Sequence, residues 1–255
     1  MKRNIWNNFV KARDKYRTTL EKLNRELPFL KTVQQELVDK KTGPKYQVET
    51  SIVYNCAIDE INPGTDVRLI LVADNPGRRE QAVRRYLVGP SGKLAEGFFS
   101  KHPSLGIDFR NNVLILNKTP VHTPRTADLR ELCRLGGESL TKALAASQDF
   151  MAKILGEFHQ IFAPLPVWIV GYGEMKRGGI FETYTRSLKT IYGQKTTGQN
   201  EPCDARREEL LFFRHFSMNQ FTVDFKRQTR TGETENESLF RMGTAYRERV
   251  LGTDL

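Results

Sequence analysis

Cysteine is scarce in this chain: Cys56, Cys133 and Cys203 stand far apart among 255 residues. No two of them have the spacing of a metal-ligand pair, and a scattered odd set suggests no disulfide framework. Such usage suits a reducing cytosol. Long apolar runs are missing too. None approaches the roughly 20 residues needed to span a bilayer, and the charged N-terminus lacks the apolar core of a secretory signal. Negative charge is also in short supply. The 30 Asp and Glu against 40 Lys and Arg leave a formal net charge of +10. That balance favours a polyanionic partner, nucleic acid ahead of an anionic membrane surface. There is no repeat of fixed period and no low-complexity tract. What remains, 38% hydrophobic and 27% charged, is the composition of a globular chain. It is long enough to bury a large core, as one α/β domain or two small ones.

Four short apolar runs organise the chain: Leu69–Ala73, Asn112–Asn117, Val167–Val170 and Leu210–Phe213. Runs of this length, rich in branched residues, read as strands buried on both faces. Helical patterns separate them, at Leu94–His102, Asp128–Leu135, Leu140–Phe162 and Ile180–Ile191, with a last one at Ser238–Val250 whose Leu239, Tyr246 and Val250 face inward. Strands alternating with helices predict a parallel four-stranded sheet covered on both faces, a three-layer αβα sandwich. Right-handed crossovers then bring all four strand exits to one edge. Asn75, Asn117, Gly171 and His215 share that edge.

Upstream, Ile5 to Leu27 carries Trp6, Phe9, Tyr16, Leu20, Leu23 and Leu27 at helical spacing, interrupted by Arg13. This predicts an amphipathic helix docked on the body and ended by Pro28. Lys31–Tyr46 begins as a short helix and passes into the turn-rich Lys40–Pro44. Ser51–Ile61 reads as another helix, closed by Asn62-Pro63-Gly64. Gly193–Ala205 and Arg227–Glu237 read as polar loops.

The first strand stops at Asp74-Asn75-Pro76-Gly77. Proline turns the chain away from helix, and glycine permits close approach by a ligand. A polar turn at the carboxyl end of a buried strand is where open α/β sheets hold their ligands. Ala73-Asp74-Asn75-Pro76-Gly77 resembles the first motif of the uracil-DNA glycosylase superfamily, which runs Gly-x-Asn-Pro-Gly in some branches and Gly-Glu-x-Pro-Gly in the iron–sulfur branches. Arg85-Tyr86-Leu87-Val88-Gly89-Pro90-Ser91-Gly92-Lys93-Leu94 resembles the Arg-Pro-Phe-Val-Gly-x-Ala-Gly-x-Leu stretch of the latter. His215-Phe216-Ser217 resembles the His-Pro-Ser of the second motif. Together these span Val67 to Phe221. Ala73 stands where the family has glycine, and Phe216 where it has proline.

The resemblance implies a glycosylase-like α/β domain over residues 65–255, forming one compact unit with a helical region over residues 1–64. It implies hydrolysis of the N-glycosidic bond of uracil or another deaminated base in DNA. Such chemistry needs a flipped base, a held water and a donor for the anionic leaving base. The resemblance gives the water to Asp74 and Asn75 and the donor to His215. It places Pro76, Gly77, Tyr86, Asn117 and Ser217 around the base, with Tyr86 matched to the stacking phenylalanine. Met218 takes the place of the wedge that fills the vacated stack. Arg78, Arg79, Arg84, Arg85, Lys118 and Arg125 lie near the site edge as phosphate contacts. The iron–sulfur cluster of some branches needs four cysteines, so no cofactor and no metal are expected. The reading is of a monomer, cytoplasmic or nucleoid-associated, with DNA as partner and no membrane.

Two other readings stay open. One is a glycosylase-like nucleic-acid-binding protein with little or no catalysis, consistent with the departures at Ala73 and Phe216. The other is a dinucleotide enzyme using Gly171-Tyr172-Gly173. Its fingerprint belongs after the first strand and needs a third glycine, where position 176 is Lys.

Overall fold

In the computed structural model, which describes residues 1–193 and 203–252, the four apolar runs pair as one sheet. The strands are β1 (Leu69–Ala73), β2 (Val113–Asn117), β3 (Val167–Val170) and β4 (Leu210–Phe213). Their order is β2-β1-β3-β4, and every pairing is parallel. β1 is interior, paired on both sides and buried along its whole length.

The helices are, in chain order, α1 (Arg3–Glu26), α2 (Leu30–Lys40), α3 (Arg78–Val83), α4 (Pro90–Lys101), α5 (Asp128–Phe162), α6 (Glu182–Gly193), α7 (Cys203–Glu208), α8 (Gln220–Gln228) and α9 (Glu235–Leu251). Successive strand residues point to opposite faces, so β1 feeds two cores. Ile70 and Val72 join α1, α2, α5 and α6 through Phe9, Tyr16, Leu37, Phe158 and Leu188. Leu69, Leu71 and Ala73 join α4 and α8 through Phe98, Phe99, Phe221 and Phe225. The result is the three-layer αβα sandwich. α9 lies along edge strand β4 and feeds both cores, Leu239 and Met242 one, Tyr246 and Leu251 the other. Gly243 allows that approach: a Cβ there would lie 2.6 Å from the Cβ of Leu211.

The N-terminal region is part of this body. Tyr16 and Leu20 of α1 are fully or nearly fully buried in the main core, and the Tyr16 hydroxyl meets that of Tyr86 at 3.1 Å. Gln34 of α2 donates through Nε2 to the carbonyls of Ser51 and His122, at 3.1 and 2.8 Å.

Three sequence expectations change. Ser51–Ile61 is not a helix. Ile52 bridges antiparallel to Val121, and only Cys56–Glu60 coils, as a 3₁₀ turn. Asn55 causes the change: its side chain donates to the carbonyl of Ile115 and accepts from the N–H of Ala57 and Tyr86. Those contacts replace the bonds a helix would make. Arg227–Glu237 shrinks to a loop over 229–234, because α8 runs to Gln228 and Thr234 caps α9 in a reciprocal box with Glu237. The helical pattern at Asp128–Phe162 is continuous except at Gly137, whose φ of 69° and ψ of −159° break it between the two expected segments. Gly193–Ala205 lies largely outside the described residues. No described helix is long and apolar enough to cross a membrane.

Candidate active site

All four strands exit at one edge, and the turns that follow β1, β2 and β4 enclose a cavity of about 600 Å³. Asp74, Asn75, Asn117 and His215 line it, with Leu87 and Met218. The register explains the meeting. Ala73 pairs with Asn117, so Asp74 leaves β1 directly beside Lys118 leaving β2.

Asp74 is held on both oxygens. Oδ1 accepts from Lys118 Nζ at 2.6 Å, and Oδ2 from the Thr126 hydroxyl at 3.1 Å. Its carboxylate lies against Gly171, where φ is +84° and a Cβ would sit 2.4 Å from Oδ1. Only glycine suits both the conformation and the space. The Lys118 side chain is 0% exposed. Its ammonium also donates to the Val170 carbonyl and lies 5.0 Å from the Phe181 ring centre. Burial pulls its pKa down from the usual lysine range, and Asp74 opposes that. Lys118 therefore cannot be a phosphate contact. It is the counter-charge that orients Asp74.

Asn75 donates from Nδ2 to the Thr123 hydroxyl at 2.9 Å, and that hydroxyl donates to the Arg125 carbonyl at 2.9 Å. The amide nitrogen is thus occupied, and Oδ1 is the atom left to receive a proton donor such as water. Pro76 is buried outside the cavity wall. Its carbonyl accepts from His122 Nδ1 at 2.9 Å and from the Thr123 N–H at 3.3 Å. Its role is to fix the turn, not to touch a base. Gly77 lines the cavity, and its N–H is held by the Glu80 carboxylate at 2.5 Å.

His215 follows β4. Its Nδ1 accepts from the Ser217 N–H at 3.1 Å. A neutral imidazole with Nδ1 accepting carries its proton on Nε2. Burial holds the pKa of His215 below the usual histidine range; Asp74 opposes this and Lys118 adds to it. The ring is therefore a neutral Nε2–H donor at pH 7. Phe216, where the resembling motif has proline, is fully buried and stacks on Phe221 with ring centres 4.3 Å apart. An aromatic anchor fixes the loop where a pyrrolidine ring would. Met218 is 86% exposed at the rim, and it and Asn219 hold left-handed φ values of 52° and 58°.

Asn117 is 2% exposed, and its Nδ2 has no hydrogen-bond partner among the described residues. Burying an unmet donor costs about 1–3 kcal/mol. A ligand carbonyl would meet it.

No protein-family model and no curated protein matches the chain.

Two further expectations fail. Tyr86 is core, 2% exposed, with its hydroxyl donating to the Val53 carbonyl at 2.5 Å. Counted in register, the stacking phenylalanine of the resembling motif falls on Leu87, which does line the cavity, at φ 51°. Gly92 makes room for that turn: a Cβ would lie 1.5 Å from the Leu87 carbonyl oxygen. Arg85 is spent on Glu60, with N–O distances of 2.6 and 2.9 Å, and with Tyr86 it lines a separate cavity of about 250 Å³. Arg84 does not line the main cavity. Arg78, Arg79 and Arg125 do, as does Ser217.

Thr123, Thr126, Glu80 and His122 were not visible as site residues. Glu80 had a signal, being three residues into a helix behind Gly77. For the Lys118–Asp74 pair the signal was the strand register, which places opposite charges side by side one residue past paired strand ends; Thr126, in the loop beyond β2, had none.

Proposed function

We propose that this chain is a DNA glycosylase of the uracil-DNA glycosylase type. It releases uracil or another deaminated base during base excision repair, as a monomer without cofactor, in the cytoplasm or on the nucleoid. One observation carries the reading. Asp74 and Asn75, which follow β1, and His215, which follows β4, open into one cavity that also contains the unpartnered amide of Asn117.

In this reading a flipped nucleotide enters the cavity. Asn117 reads the base edge, its donor meeting a carbonyl and its Oδ1 an imide N–H. Asp74 and the free Oδ1 of Asn75 hold a water at the sugar C1′. The C1′–N bond breaks with its electron pair on the base, and the water oxygen bonds C1′. The water proton passes to the Asp74 carboxylate, then to the released base. The Nε2–H of His215 donates to the base oxygen as negative charge develops there, an interaction that strengthens toward the transition state. A neutral histidine serves this without protonating the base.

The binding-protein reading has one observation of its own: both Asp74 oxygens already accept a hydrogen bond. One experiment separates the two. Purified protein is incubated with oligonucleotides carrying uracil or hypoxanthine, and alkali-labile abasic sites are counted. Strand cleavage that is lost in Asp74→Asn supports the glycosylase. DNA binding with no abasic site supports the binding protein.

A further inference from the structure

A smaller cavity of about 210 Å³ adjoins the first, and Arg78, Pro124 and Arg125 line both. Its other wall comes from the segment after α2, including Lys41, Pro44 and Tyr46. That segment lies outside the stretch that resembles the glycosylases, so the motifs give it no role.

The two shared arginines differ from several others among the described residues. Arg85, Arg110, Arg130, Arg134 and Arg241 each pair with a carboxylate. Arg78 and Arg125 are exposed, and neither guanidinium has an acidic partner among the described residues. The Asp128 carboxylate, close by, is already taken by the Lys41 ammonium and the Arg125 N–H. The cleft between the arginines therefore holds net positive charge with no internal anion to neutralise it.

Arg78 is also positioned. Its guanidinium lies 5.2 Å from the centre of the Tyr46 ring, within the range of a cation–π contact. The ring is fixed at its far end, where the hydroxyl meets His122 Nε2 at 2.9 Å. Because Nδ1 of His122 donates to the Pro76 carbonyl, Nε2 must accept, and the Tyr46 hydroxyl donates. Burial supports these roles, pushing the Tyr46 phenol up to about 12 and the His122 imidazole down to about 4. A chain of contacts thus runs from the site turn at Pro76 to an arginine that lines the second cavity.

We infer that the Arg78–Arg125 cleft is a subsite for the phosphodiester next to the nucleotide in the main cavity, with Tyr46 as the positioning residue of Arg78. This deepens the proposed function, since it rests on a polynucleotide strand being the ligand. The fit is one of charge and shape. A guanidinium takes a phosphate in a bidentate fork, and two guanidinia without carboxylate partners flank a cleft continuous with the nucleotide cavity. No base recognition is required there, so the subsite acts on any sequence.

The test is fluorescence anisotropy with a labelled single-stranded oligonucleotide lacking uracil, over a salt series from about 50 to 200 mM. Arg78→Gln and Arg125→Gln are each expected to lower the slope of log affinity against log salt by about 0.7, the share of one phosphate on a single strand. Arg68→Gln removes the same charge from an exposed ion pair with Asp66 at the start of β1, the sheet end opposite the cavity, and leaves the slope unchanged. Tyr46→Leu lowers the slope by less than Arg78→Gln, which removes the charge itself, and Tyr46→Phe, which keeps the ring but loses its bond to His122, recovers part of that loss. Equal slopes in the wild type, Arg78→Gln and Arg125→Gln overturn the subsite. So does a mononucleotide that displaces the oligonucleotide at equal concentration, which would mean a nucleotide pocket and not a strand path. The two readings fail separately. Binding through these arginines with no base release removes the glycosylase and keeps the subsite. Base release with unchanged slopes does the reverse.

Discussion

The ammonium of Lys118 meets the carboxylate of Asp74 at 2.6 Å with the lysine wholly shielded from solvent. A buried pair is a weak source of net stability, because desolvation offsets much of the attraction, but removing one partner strands the other charge. Lys118→Met is therefore expected to destabilise the fold by about 3–5 kcal/mol. The double variant Lys118→Met/Asp74→Asn should recover much of the loss. Urea denaturation of the four proteins gives the coupling, and simple additivity of the two single effects would show that the contact carries none.

If the chain is the proposed glycosylase, His215→Ala is expected to slow base release by about 10²- to 10³-fold, or about 2.7–4 kcal/mol in the transition state. Weak binding of DNA should change little, because the hydrogen bond strengthens only as charge grows on the leaving base. Single-turnover cleavage of a uracil-containing strand, read beside anisotropy, separates the two effects. A variant that cleaves at the wild-type rate would place the donor elsewhere.

Asn117 offers a different contrast. Its amide nitrogen is buried without a partner, so Asn117→Leu removes an unmet donor at similar volume. The variant is expected to match or exceed the wild type in melting temperature while losing base capture. Function and stability then move in opposite directions at one position. A fall in both would mean that the amide is structural.

Acid stability draws on buried histidines, His159 and His122 among them, each depressed to about 4 by burial, and His122 shows the size of one such contribution. Its folded pKa is depressed from 6.5 to about 4 by burial. Below the unfolded value the unfolded chain takes up a proton that the folded chain refuses. Stability is thus complete above about pH 6.5 and falls as pH drops toward 4, by about 3 kcal/mol at the lower end. His122→Gln, which can still bond the Pro76 carbonyl, is expected to remove its own share of that fall and leave the share of His159. Urea midpoints at pH 7 and at mildly acid pH measure it.

Gly92→Ala tests the turn that presents Leu87. The added methyl would collide with the Leu87 carbonyl oxygen, and overpacking of this kind costs about 1–3 kcal/mol or more. Since the collision is with backbone, the expected loss in melting temperature comes with weaker base capture. A melting temperature equal to the wild type would show that α4 can shift to relieve it.

Much of this site was legible because strand exits are a property of pattern. The runs at Leu69 and Leu210 are apolar without interruption, and a parallel sheet follows from the helices between them. Asp74, Asn75, Asn117 and His215 then had to share an edge. What the pattern could not carry was orientation. Tyr86 and Leu87 are neighbours in sequence, yet a left-handed φ at Leu87 sends one ring into the core beside Tyr16 and leaves the next side chain at the cavity. Lys118 looked like a surface cation because nothing local marks a lysine as buried; its partner is 44 residues away. Asn55 likewise hid the extended course of Ser51–Asn55, since two of its three partners, Tyr86 and Ile115, lie 31 and 60 residues away.

The interior place of β1 has a consequence for motion. An amide that is paired on both sides and buried on both faces exchanges with solvent only when the whole domain opens. Asp74 and Asn75 hang from the end of such a strand. Excursions that fray α3 or loosen the Met218–Asn219 turn leave those two side chains where they are. The Asp74–Asn75 half of the site is thus a fixed reference, and the half formed by α3 and the Met218–Asn219 turn can breathe against it on a much shorter clock.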